Sequence, residues 1–234
     1  MHVYPIFLTE LAARRCLVIG GSDEAERKVQ GLLDCEASVT VLSAGLTAQL
    51  HDWVGNGMIT WIPRAYEPGD LQGAFLVIVT DRNSHITERI CQEAHELGTL
   101  LNVADDPAHS IFVAGSVVRQ GPLTIAISTS GCAPALAVRL RQQFERDFGP
   151  EYAVLLGLLR ELRASLAGRD ANAQERRALW YRLLDSDLLE LLRAGHHDLA
   201  RQLIALLLGD NIPEAGELTR PDGHDIPAAP RAAR

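Results

Sequence analysis

Three short stretches of this 234-residue chain carry residue types whose spacing could do chemistry. The first, Gly20-Gly21-Ser22-Asp23-Glu24-Ala25, follows the apolar run Arg15-Cys16-Leu17-Val18-Ile19 and opens an acid-first, helix-favouring stretch. Strand, tight turn and helix in that order turn backbone N–H groups and a positive helix end toward an anion, as in the dinucleotide folds. The fingerprint G-x-G-x-x-A is met at Gly20 and Ala25, but Ser22 stands at the second glycine, so on the motif alone a tight turn of a generic α/β protein reads as well. The second stretch, Ala104-Asp105-Asp106-Pro107, follows the apolar run Leu100–Val103 and places two carboxylates where a parallel strand would end at a ligand crevice. An Asx turn before Pro107 accounts for the same residues without any chemistry. The third, Ser128-Thr129-Ser130-Gly131, precedes Pro134 and a long helical run, and offers hydroxyls and a helix end to an anion.

These stretches need a scaffold, and the hydropathy pattern supplies one. Runs at Arg15–Ile19, Ser38–Leu42, Ile59–Pro63, Phe75–Thr80 and Leu100–Val103 read as strands. Helical spacing follows Asp23, spans Leu46 to Val54, and returns from Asn83 to Leu97. Strands apolar on both faces that alternate with helices predict a parallel sheet covered on both sides. From Ile111 the grammar changes. IFVAGSVV and LTIAIST are joined by Arg119-Gln120-Gly121-Pro122, which predicts a β-hairpin. From Ala135 to Leu208 the pattern is helical, with breaks at Gly149-Pro150 and from Gly168 to Asn172, which predicts two or three further helices in a small bundle. Residues 209–234 hold four of the eleven prolines and little apolar periodicity, and read as a disordered tail. The expected parts are thus 1–110, 111–148, 149–208 and the tail.

Composition narrows the function classes. A net charge of −8 argues against broad nucleic-acid binding, so an anionic ligand must be held by local features. Lys28 is the one lysine against 21 arginines, a bias that needs no functional reading. Cys16, Cys35, Cys91 and Cys132 form no C-x-x-C pair, which leaves neither a zinc knuckle nor a dithiol motif and suits a reducing cytoplasm. No run approaches the roughly 20 apolar residues of a membrane span, and no signal core opens the chain. Adjacent His196 and His197 on a helix point about 100° apart and cannot readily share a metal, so both read as surface residues. No protein metal site is expected.

Taken together, YPIF at Tyr4–Phe7, VIGGSDEAERK at Val18–Lys28, LLNVADDP at Leu100–Pro107 and IFVAGSVVRQGPLTIAISTSGCAPALAVRLR at Ile111–Arg141 resemble one family. It is the precorrin-2 dehydrogenase and sirohydrochlorin ferrochelatase module of sirohaem synthases, and the likeness runs in the family's order to about Leu208. The resemblance implies a Rossmann-like domain, a β segment that pairs across a homodimer, and a small helical domain. It implies oxidation of precorrin-2 to sirohydrochlorin with NAD and, in many members, insertion of ferrous iron to give sirohaem. It places the catalytic aspartate at Asp105. One carboxylate could take the proton released by dehydrogenation and also serve metallation.

The expected cofactor contacts are Gly20, Gly21, Ser22, Asp23 and Glu24, with Ser43-Ala44-Gly45, Thr80-Asp81 and Asn102 from the ends of the other strands. Val41–Gly45 holds no acid for a ribose 2′-hydroxyl and no nearby arginine for a 2′-phosphate, and NAD is the expected cofactor. The polycarboxylate macrocycle is expected at Ser128, Thr129, Ser130 and Gly131. His109, close to Asp105 in sequence, could support that residue from behind, but reads first as a turn residue. A dehydrogenase without chelatase activity, and a non-catalytic nucleotide or tetrapyrrole sensor with Ser22 marking a degraded loop, remain the alternative readings.

Overall fold

Leu17 and Ile19 point to one side of the first strand and Cys16 and Val18 to the other, and all four are buried. That double burial sets the architecture of the first unit in the computed structural model, which describes residues 3–81, 84–166 and 173–208. β1 (Arg15–Ile19) lies between β2 (Ser38–Leu42) and β4 (Leu76–Val79). β3 (Thr60–Ile62) and β5 (Leu100–Val103) complete a five-stranded sheet of order β3-β2-β1-β4-β5, parallel throughout. Cys16, Val18, Val39, Val41, Leu76 and Ile78 pack against Ala25, Val29 and Leu32 of α1 (Asp23–Leu33) and Leu50 and Trp53 of α2 (Ala48–Gly55). Leu17, Ile19, Val77, Val79, Leu101 and Val103 face Ile90 and Ala94 of α3 (Ser84–Leu97). The period-2 alternation of each strand thus feeds two cores, which is why these runs are apolar without interruption.

The return from β3 to β4 has no crossover helix, and carboxylates fix it instead. Arg64 donates to both carboxylate oxygens of Asp70 at 2.7 and 2.6 Å, and the Glu67 amide donates to Asp70 Oδ2 at 2.7 Å. Glu93 on α3 accepts from the Tyr66 hydroxyl, from the Gly69 amide at 3.1 Å and from the Leu71 amide at 3.0 Å. Loop amides that a helix would have satisfied internally are satisfied by side chains here.

In the second unit, β6 (Ser116–Gln120) and β7 (Leu123–Ile127) form an antiparallel hairpin closed by Gly121-Pro122. Its first strand is shorter than the sequence predicts, because Ile111–Gly115 is not paired. The Ile111 and Phe112 amides both donate to the Leu101 carbonyl, and the Asn102 side-chain amide donates to the Phe112 carbonyl at 2.9 Å, so this segment is tied to the end of β5.

The helical part also differs. After α4 (Pro134–Asp147) come four helices among the described residues: α5 (Glu151–Ser165), α6 (Ala173–Leu184), α7 (Leu188–Arg193) and α8 (His197–Leu208). Apolar spacing runs through the break between α7 and α8, which hid it from the pattern. Gly195 makes that break: at φ 75 its amide donates to the Leu192 carbonyl while the His196 amide reaches the Leu191 carbonyl. This is a Schellman stop. Leu155, Leu188, Leu192 and Ala200 form one core of the unit and Leu162, Leu183 and Leu208 a second, with Leu159 and Ile204 packed against both. His196 and His197 are exposed at this break, as the sequence predicts.

No helix among the described residues is long and apolar enough to cross a membrane. The expected helix start at Asn83, the break from Gly168 to Asn172 and the tail 209–234 lie outside the described residues.

Two stability outcomes follow from these contacts. A Cβ at Gly195 would meet no atom within 4 Å, so Gly195→Ala isolates the backbone cost of the left-handed conformation. Urea unfolding should lose about 1–2 kcal/mol. The hydrogen bond from Arg64 holds the Asp70 carboxyl below its ordinary range. Its stabilisation is therefore complete above the ordinary aspartate value of about 3.9 and is lost as pH falls through the lower folded value. Urea midpoints of wild type and Asp70→Asn should differ at neutral pH and converge in acid.

Candidate active site

In the order β3-β2-β1-β4-β5 the chain reverses direction across the sheet between β1 and β4, so the loops leaving those two strands open a crevice at their carboxyl ends. Gly20 leaves β1 at φ 123. A Cβ there would fall 2.2 Å from Thr80 Oγ1, and one at Gly21 would fall 1.9 Å from the Gly45 carbonyl oxygen and 2.7 Å from Ser43 Oγ. The two glycines let the loops after β1, β2 and β4 close on one another. Thr80, buried, donates through its amide and hydroxyl to the Ile19 carbonyl at 2.9 and 3.2 Å. Ser43 donates to the Gly45 carbonyl at 2.6 Å, and the Trp61 indole donates to the Ser43 carbonyl at 3.0 Å. Thr47 caps α2 and donates to Glu26 on α1 at 2.8 Å.

These contacts fit a dinucleotide. Ser22 is the N-cap of α1, but its hydroxyl makes no capping bond, and it is exposed beside first-turn amides that have no intrahelical acceptor. It can take over the anion contact that the second glycine of the fingerprint allows. Asp23, Glu24 and Glu26 make that first turn acidic, which stabilises the helix and leaves a pyrophosphate to be held by N–H and hydroxyl donors. Asp81 lies over Gly20, and partial burial of its carboxyl pushes its pKa up. The structure thus gathers Gly20–Glu24, Ser43–Gly45 and Thr80–Asp81 around one crevice. Asn102 differs in its use. It is buried, and its amide is committed to the Phe112 carbonyl.

Beyond β5 the two aspartates divide the work that sequence reading assigned to one turn. Asp106 caps the short 3-10 turn Pro107–His109: its Oδ1 accepts from the His109 amide at 3.3 Å, and its Oδ2 lies 2.6 Å from His109 Nδ1. Hydrogen bonding by His109 holds the Asp106 carboxyl below its ordinary range. Asp105 is left exposed with φ 60, a left-handed backbone that is uncommon for a side-chain-bearing residue and tends to mark functional sites. Ser110 braces this loop. Its Oγ accepts from the Val103 amide at 2.9 Å and lies 2.7 Å from the Asp106 carbonyl. His109 is the turn residue the sequence predicts, and Asp106 supplies the Asx-type cap before Pro107; Ser110 and the direct Asp106–His109 side-chain contact escaped the sequence reading.

The loop Ser128–Gly131 groups with the nucleotide unit. Ser128 Oγ accepts from the Ser130 amide at 3.1 Å, and Thr129 Oγ1 accepts from the Ala133 amide at 3.3 Å. Ser130 and Gly131 are both left-handed, at φ 52 and 79, so these hydroxyls shape the loop. Among the described residues no group of three or more His, Cys, Asp or Glu is arranged to hold a metal ion.

The fold and the crevice define a dinucleotide-binding protein, and the family matches make the dinucleotide NAD(P). Residues 7–116 match the NAD(P)-binding family, 120–147 the central region of sirohaem biosynthesis proteins, and 151–208 the sirohaem synthase dimerisation region. Siroheme synthase 1 of Aeromonas salmonicida (strain A449) is 35% identical over 219 residues, covering 93% of this chain and 47% of that protein. The siroheme synthase of Nitrosococcus oceani is 32% identical with the same coverage. The chain thus spans about half the length of the curated relatives it matches. A solved structure titled SirC, precorrin-2 dehydrogenase, superposes with a TM-score of 0.71 at 22% identity, over 86% of this chain and 98% of that one, which establishes the shared fold. From residue 7 to 208 the chain thus matches, in order, a nucleotide-binding, a sirohaem-biosynthesis central and a sirohaem synthase dimerisation segment, and it is similar over 93% of its length to siroheme synthases.

The close approach at Gly21 gives a direct check. Gly21→Ala drives a methyl into the Gly45 carbonyl, and overpacking of this kind costs about 1–3 kcal/mol. Calorimetric titration with NAD should show binding at least about tenfold weaker than wild type, since about 1.4 kcal/mol is tenfold.

Proposed function

We propose that this chain oxidises precorrin-2 to sirohydrochlorin with NAD, and that Asp105 takes the proton released. The observation that carries this reading is the exposed, left-handed Asp105 at the carboxyl end of β5, in the unit whose β1 and β4 loops form the dinucleotide crevice. When bound, NAD supplies the hydride acceptor. Gly20, Gly21 and Ser22 with the first turn of α1 would hold its pyrophosphate, Ser43–Gly45 its adenosine ribose, and Thr80 and Asp81 the stretch between β1 and β4. The part proposed for Asp105 is that of a general base, its carboxylate oxygens accepting the proton. The hydroxyl-shaped loop Ser128–Gly131, ahead of α4, suits the carboxylates of the macrocycle.

Insertion of ferrous iron, as substrate, into sirohydrochlorin extends the same site. Metallation removes two pyrrole protons, and the carboxylate that serves dehydrogenation can accept one of them. A homodimer fits exposed Tyr181, Leu184 and Leu206, which are 52%, 55% and 76% accessible within the region that matches the dimerisation family. An arginine-lined cavity of about 810 Å³ between α5 and α6 lies beside Tyr181 and Leu184 in the same unit.

The test is the purified protein with precorrin-2 and NAD, followed by absorbance. NADH and sirohydrochlorin should form together, and absence of both refutes the reading. Asp105→Asn keeps a residue that tolerates the left-handed backbone and removes the charge. It should lower kcat by about 10²–10⁴-fold without changing the urea midpoint appreciably. Sirohydrochlorin with ferrous iron and no NAD then isolates the chelatase step, and a rate equal to the uncatalysed one leaves a dehydrogenase alone.

A further inference from the structure

Metallation poses a stoichiometric problem that one carboxylate does not solve. Two N–H bonds of the macrocycle break as Fe²⁺ forms its bonds to nitrogen, two protons leave, and no electron is transferred. Asp105 accepts one proton. A second acceptor in the crevice would spare the site a reset between the two transfers.

The loop that carries Asp105 contains such a group. Both oxygens of Asp106 are engaged by His109, Oδ1 by its amide at 3.3 Å and Oδ2 by Nδ1 at 2.6 Å. An ionised carboxylate can only accept, so Nδ1 must carry the hydrogen. In its neutral form the imidazole is then the tautomer whose Nε2 carries the lone pair. Its side chain is 45% exposed, against 36% for that of Asp106. A carboxylate that fixes the tautomer of a histidine and stabilises the imidazolium formed on protonation is the arrangement that general bases use. The other ionisable groups near the pair are Asp105 in the same loop and, on α3, Cys91 facing Asp106 with Glu88 beside it. Ser110 ties the base of the loop, so Asp105 and His109 leave one braced segment only four residues apart.

We propose that His109 is the second proton acceptor of this crevice, taking through Nε2 one of the two pyrrole protons released when ferrous iron enters sirohydrochlorin, with Asp106 fixing its tautomer. The proposal rests on the tetrapyrrole reading above and deepens it. The proton passes from the imidazolium to water, and Asp106 carries the compensating charge meanwhile.

The experiment assays both reactions on the full chain. His109→Gln should lower the chelatase rate by about 10²-fold or more, and by at least about tenfold more than it lowers the dehydrogenation rate. Added imidazole should restore part of the chelatase rate in His109→Ala, which a merely structural histidine would not allow. Asp106→Asn keeps the helix cap, since asparagine caps as well as aspartate. Its amide can donate to Nδ1 and moves the hydrogen to Nε2, so it should reproduce the chelatase loss with KM for sirohydrochlorin unchanged. His109→Gln metallating at the wild-type rate overturns the proposal. So does a wild-type protein that dehydrogenates without metallating, which leaves the dehydrogenase reading standing. A wild-type protein inert in both assays overturns both.

Discussion

The carboxyl end of β1 is the point on which the rest of the site depends. Three loops meet there with no space between them: Gly20 against Thr80 and Asp81, and Gly21 against Ser43 and Gly45. Thr80 closes the same corner by donating twice to the Ile19 carbonyl. Because β1 is hydrogen-bonded on both edges and buried on both faces, its end cannot shift to make room. The crevice is thereby pre-formed, its shape set by backbone packing. A cofactor that binds there does not have to order the loops first, which is the main entropic saving available to a binding site.

Electrostatics sharpen this picture. The chain carries a net charge of −8, and acidic residues reach the mouth of the crevice at Asp23, Glu24 and Asp81. No cluster of lysines draws the pyrophosphate in. Oriented N–H groups, a hydroxyl at Ser22 and the helix end remain, and these act at hydrogen-bond range while the acidic surface acts weakly through water and salt. Asp81 packs over Gly20, and partial burial pushes the pKa of its carboxyl up.

The adjacent aspartates show how a fold separates residues that a sequence cannot. Asp106 spends both oxygens on His109 and the turn, while Asp105 is turned outward by a left-handed backbone that Ser110 helps to brace. An Asx-type turn and an exposed carboxylate were alternative readings of one tripeptide. In the structure both are present, one residue apart. The same turn orients His109, so a structural cap and a proton-accepting geometry arise from one set of hydrogen bonds.

The amino-acid sequence by itself determined the sheet. β1 and β2 fall where the apolar runs predict, Arg15–Ile19 and Ser38–Leu42, because strands buried on both faces must be apolar without a break. It also marked the glycine turn, since turn chemistry is a local property, whereas Asp105 was singled out by the family resemblance and not by its own tripeptide, which an Asx turn accounts for equally. Only tertiary structure decided the rest. The stop at Gly195 lies inside continuous apolar spacing, and the unpaired Ile111–Gly115 has strand-like residues whose amides and carbonyl are claimed by Leu101 and Asn102. Ser110 and Trp61 act through partners 7 and 18 residues away. Periodicity reports which face of an element is buried. It cannot report which distant donor will meet a given acceptor, and in this protein those meetings shape the crevice.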